Sequence, residues 1–137
     1  MYHKIYAAYC RLSKGDQAEL KRCNLKKLLD APAYFRVLKM TGLEDTPQVA
    51  RILFLLTGVS VYQADGFSIA AALHNAGVKE SHVIQITRSG DNGIEYLKRQ
   101  LIRCKNIDLD DVGKLAQFWG ANARRHLLKE FILSQQD

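Results

Sequence analysis

Asp108, Asp110 and Asp111 stand within four positions of one another, and carboxylates so clustered can hold a divalent cation for metal-assisted hydrolysis. A calcium loop starting at Asp108 would need a bidentate acid at its twelfth position, and Trp119 stands there. Asp108 and Asp111 lie instead where a helix N-terminus favours negative charge. The histidines His3, His74, His82 and His126 form no H-x-x-x-H pair, and none adjoins Cys10, Cys23 or Cys104. Zinc binding and Cys-His catalysis therefore lack their usual spacing. Gly113-Lys114 is no phosphate loop, because the glycine required five residues earlier is Asp108. No nucleophile, base and oxyanion donor recur at a recognisable spacing. The residues thus predict a protein that is not an enzyme and uses no metal, cofactor or small-molecule substrate.

Cations offer the other chemistry. Twenty Lys and Arg against fourteen Asp and Glu give a net charge of +6, a modest excess that matters where it is concentrated. One concentration runs from Arg11 to Lys39 and includes the pairs Lys21-Arg22 and Lys26-Lys27. The second is Lys98, Arg99, Arg103 and Lys105, with no acid between Tyr96 and Ile107. At about 100° per residue, Ile94, Leu97, Leu101 and Cys104 share one helix face and Tyr96, Arg99 and Arg103 the opposite one. Lys98 and Lys105 flank the apolar stripe, and Arg88 closes the preceding helix. Basic rows of this kind suit phosphate oxygens, which carry no sequence information. Base stacking has weaker support, since Tyr2, Tyr6, Tyr9, Phe118 and Trp119 fall on apolar faces and only Tyr96 falls on a charged one.

The elements that must position these cations have helical periods throughout. Tyr2, Ile5, Tyr6, Tyr9 and Leu12 predict a core-facing helix ending near Gly15, and residues 16–29 continue as helix. Pro32 and Thr46-Pro47 mark two further starts. The segment PQVARILFLLT is apolar almost all round and belongs at the centre of the packing. Residues 58–67 read as a loop, with at most a short extended piece. Ser68 caps the next helix and Gly77 ends it; Asn92 and Glu95 stand at capping-box spacing for the basic helix. Helices from Asp108 and from Ala121 complete the chain. The expectation is an all-α, compact bundle of about seven to nine helices in a single domain spanning 1–137, with possible subdomains 1–66 and 67–137. Its 137 residues can bury roughly two thirds of the unfolded surface without disulfide or metal. The N-terminal MYHKIYAAYCRL has a helical period where a signal peptide would have an apolar run, so a cytoplasmic location without membrane contact is expected.

The order of these pieces resembles the small subunit of type I-E CRISPR Cascade complexes, the CasB family. The matching residues begin with Ala18-Glu19-Leu20-Lys21-Arg22 and Pro32-Ala33-Tyr34-Phe35-Arg36-Val37-Leu38. They continue through Gly66-Phe67-Ser68-Ile69, Ala72-Leu73 and Asn75-Ala76-Gly77. The C-terminal half adds Gln85-Ile86-Thr87-Arg88, Leu97-Lys98-Arg99-Gln100-Leu101, Phe118-Trp119-Gly120 and Leu127-Leu128-Lys129-Glu130-Phe131. The chain departs from the family in its short 58–66 loop, which lacks bases, in Ala71 where an arginine is common, and in His82 where a base is common.

The resemblance implies a non-enzymatic helical subunit that sits with other Cascade subunits and a second copy of itself, and that holds guide RNA with target DNA or the displaced strand. Carried over residue by residue, its nucleic-acid-binding candidates are Lys21, Arg22, Arg88, Lys98 and Arg99. The local face argument adds Arg103. All are expected off the apolar stripe. A helical adaptor whose basic faces dock acidic proteins is the alternative, and a small nuclease built on Asp108, Asp110 and Asp111 is a third reading.

Overall fold

Seven of the ten residues in PQVARILFLL are buried, so this segment can only be a helix at the centre of the molecule. The computed structural model, which describes residues 1–135, places it there. In chain order the helices are α1 (Tyr2–Arg11), α2 (Lys14–Arg22), α3 (Leu25–Leu28), α4 (Pro32–Thr41), α5 (Pro47–Leu56), α6 (Ile69–Asn75), α7 (Glu80–Arg88), α8 (Gly93–Leu101), α9 (Leu109–Gln117) and α10 (Ala121–Leu133). A single 3-10 turn, Gly90–Asn92, joins α7 to α8. Two short strands, β1 (Val61–Tyr62) and β2 (Ile107–Asp108), are also present. The all-α class holds.

The described residues hold ten α-helices, one above the expected range, because the stretch 16–29 read as one helix is divided at Asn24. The first break, expected near Gly15, comes just before it, where Ser13 accepts the Asp16 N–H and opens α2. The second falls at Asn24, whose side chain accepts the Lys27 N–H and starts the single turn of α3. Caps read from the sequence hold elsewhere: Thr46 accepts from Val49, Ser68 from Ala71 and Asp108 from Asp111. Gly42 ends α4 in the left-handed region at φ 71°, a conformation glycine adopts without a Cβ clash.

The helix α5 packs against α9, α1 and α3, while α10 lies across α7 and α6, and α7 against α8. Arg51, the one charge of α5, is half-buried for a structural reason. Its Nε and Nη2 donate to the Ala116 and Gln117 carbonyls at 2.8 and 2.9 Å, groups at the end of α9 that lack intrahelical partners. The strands pair in parallel, Val61 with Ile107 and Tyr62 with Asp108. The chain approaches so closely beside them that a Cβ on Gly66 would lie 2.6 Å from the Asp108 nitrogen. This pairing is the short extended piece that the 58–67 reading left secondary to a loop.

Candidate nucleic-acid interface

The two basic segments come together through contacts that sequence spacing does not contain. At the end of α2, Lys21 and Arg22 are exposed, and the aliphatic stem of Lys21 crosses Gly58, with Cγ 3.5 Å from where a Cβ there would stand. Gly58 follows Thr57, whose Oγ1 accepts a hydrogen bond from Lys98 Nζ at 2.6 Å. Beyond Arg22, the first amide of α3, on Leu25, donates to Glu95 Oε1 of α8 at 2.8 Å. Glu95 therefore does not cap its own helix as the Asn92 spacing predicted; Asn92 makes no side-chain cap bond.

Lys98 corrects the sequence reading. Expected beside the apolar stripe and open to solvent, it is 6% exposed, and its Nζ lies 4.1 Å from the centre of the Phe54 ring. The Thr57 hydroxyl donates a hydrogen bond to the Phe54 carbonyl at 2.9 Å, which leaves an oxygen lone pair free for the ammonium. Burial lowers the Lys98 pKa to about 8, against the opposing influence of Glu95 and Cys23. A cation so enclosed cannot reach a phosphate. Lys98 is one turn from Ile94, and that spacing already places it on the buried face.

The remaining candidates are solvent-facing. Arg99, in the last turn of α8, is exposed and its guanidinium lies 5.4 Å from the Tyr96 ring. Arg103 lies just past the helix, which ends at Leu101, and Nη1 donates to Gln100 Oε1 at 2.8 Å. Arg88 is exposed at the end of α7, at the opposite end of α8 from Arg103. Lys26 and Lys27, exposed on α3, adjoin the Leu25–Glu95 contact and extend the cationic surface. Among the described residues, the ion pairs are His3–Asp110, Arg36–Asp16, Arg124–Asp91 and His126–Glu130. None involves Lys21, Arg22, Lys26, Lys27, Arg88, Arg99 or Arg103. No internal acid neutralises these charges, as a surface for polyanions requires.

The acidic cluster is dispersed. Asp108 caps α9, the Asp111 carboxylate accepts the Ile69 N–H at 3.0 Å, and Asp110 pairs with His3 at 3.0 Å. Among the described residues no group of three or more His, Cys, Asp or Glu could hold a metal ion, and no helix is long and apolar enough to cross a membrane. Trp119 is buried just past the end of α9, its Nε1 donating to the Asp91 carbonyl at 3.2 Å, so it is no stacking platform.

No family model matches the chain, and no curated protein does. Among solved structures, it is similar to a chain in the crystal structure of E. coli Cascade bound to a PAM-containing double-stranded DNA target, with a TM-score of 0.84 and 27% identity. The likeness covers 95% of this chain and 93% of that one. The resemblance to a Cascade subunit read from the sequence is thereby borne out: over nearly its whole length the chain is similar to a chain of a Cascade complex.

Proposed function

We propose that the chain is a non-catalytic subunit of a Cascade-type surveillance complex that holds sugar-phosphate backbone, of guide and target or of the displaced strand, and so stabilises the R-loop. The observation that carries this reading is the likeness, over 95% of this chain and 93% of that one, to a chain of Cascade bound to target DNA. The unpaired cations Lys21, Arg22, Arg88, Arg99 and Arg103 support the mode of contact. In an RNA-guided complex base pairing reads the sequence, so a subunit of this kind needs only well-placed positive charge. Its partners are other subunits of such a complex, a second copy of this chain among them, and its location is the cytoplasm.

Co-purification tests the assembly: the tagged chain should recover a guide RNA and its protein partners from cells expressing the complex. Lys21, Arg22 and Arg99 should then be changed together to Ala. In the reconstituted complex this variant should bind two unrelated targets, each with its matched guide, more weakly by the same factor. Its log–log salt dependence should flatten by roughly 0.7 to 0.9 for each phosphate that is no longer neutralised. A loss confined to one target, or an unchanged salt slope, defeats the backbone-contact mechanism. Full binding by the variant leaves the protein adaptor as the surviving reading.

A further inference from the structure

Glu95 is an acid inside a cationic surface, and Coulomb's law makes it a hindrance to any polyanion bound there. Its carboxylate neither caps α8 nor pairs with Arg99 one turn away. It accepts the Leu25 amide, 70 residues distant in the chain, at 2.8 Å. That amide opens α3 and, like the first amides of any helix, lacks a partner within it. Exposed bases flank the contact: Arg22 before it, Lys26 and Lys27 after it, and Arg99 one turn along from Glu95. The Lys98–Thr57 bond and the Lys21 stem over Gly58 bring α8 and α2 to adjacent residues just past α5.

We infer that Glu95 is a positioning residue that fixes the α2–α3 basic segment against α8, so that Lys21, Arg22, Lys26, Lys27 and Arg99 meet one nucleic-acid backbone as a single surface. The inference rests on the backbone-contact reading above. Without the tether, α3 is held chiefly through its packing on α5, its orientation against α8 is no longer fixed, and the cations of the two segments bind less well as one surface. Two charge-removing substitutions therefore have different consequences. Glu95→Ala removes both charge and acceptor, while Glu95→Gln removes the charge and keeps an oxygen for the Leu25 amide.

The full-length chain and a fluorescein-labelled single-stranded DNA of mixed sequence provide the test, by anisotropy at several salt concentrations. Glu95→Ala should weaken binding about tenfold although it makes the protein more positive, and should lower the salt slope by about 0.7 for each phosphate the cations cease to reach. Glu95→Gln should bind at least as tightly as the wild type. In a background lacking Arg22, Lys26 and Lys27, Glu95→Ala should have little further effect. Amide exchange gives a reading independent of DNA: the Leu25 amide should be protected in the wild type and in Glu95→Gln.

Tighter binding by Glu95→Ala with an unchanged slope overturns the positioning role, because charge alone then accounts for the residue. So does a loss in Glu95→Gln equal to that in Glu95→Ala, and so does an unprotected Leu25 amide in the wild type. Failure of the underlying reading looks different. If changing Lys21, Arg22 and Arg99 together leaves DNA binding intact, the cationic surface itself is not the interface.

Discussion

Lys98 has a consequence that the exposed cations lack. Its lowered pKa, about 8, means that above this pH the unfolded chain binds a proton that the folded chain has released. Stability therefore rises as pH climbs from about 8 toward the ordinary lysine value, and below about 8 the full penalty of enclosing the charge applies. Burial raises the pKa of the Cys104 thiol, to about 11, and of the Tyr9 and Tyr34 hydroxyls, and these groups act in the opposite sense at higher pH. The useful window is thus about pH 7 to 9. Denaturant unfolding there should give a stability that increases with pH in the wild type, relative to Lys98→Met. The Met variant should equal or exceed the wild type near neutrality, since apolar replacement of a buried charge is often stabilising. Lys98→Ala should lose about 2 to 3 kcal/mol through the cavity it leaves. A difference between wild type and Met variant that is flat with pH would contradict the pKa assignment. The Ile94–Lys98 spacing was legible in the sequence; that Phe54 and Thr57 would enclose the amine was not, because those partners lie more than 40 residues away.

At the scale of the element, the junction of α7 and α8 is set by Gly93. A Cβ there would collide with the Ile86 carbonyl of α7 and press within 3.3 Å of the Trp119 ring. Gly93→Ala should therefore part the two helices, and Trp119→Ala should cost about 3 to 5 kcal/mol as other buried aromatics do. Because both act on one contact, the double variant should lose less than the sum of the singles. Thermal or denaturant unfolding measures all three, and full additivity would mean that Gly93 and Trp119 do not share a packing site. Helix starts were the most legible feature of the sequence, since Thr46, Ser68 and Asp108 act on amides three residues away. The Asn92–Glu95 spacing misled because a carboxylate can satisfy any orphan amide within reach, and Leu25 was nearer in space than in sequence. The same limitation hid the meeting of the two basic segments.

For the whole molecule, composition and apolar periodicity indicated a basic helical domain, but not the parallel pairing of β1 with β2. The segments involved are two-residue strands, too short for a period to register. Where they meet, the Asn106 N–H donates to Ser60 Oγ across 46 residues, enclosing α6, α7 and α8 between the paired ends. Helices close locally and fast, whereas this pairing must first overcome the entropy of a long loop. The pairing is therefore expected to form after the rate-limiting barrier. Gly66→Ala, which forces the chain off Asp108, should then raise the unfolding rate several-fold and change the refolding rate by less than about twofold. Stopped-flow measurement of both rates decides this, and a slowed refolding limb would put the pairing in the folding nucleus. With refolding unchanged, the pairing would act as a latch on lifetime: the two strands would govern how long the native molecule persists far more than how quickly it forms.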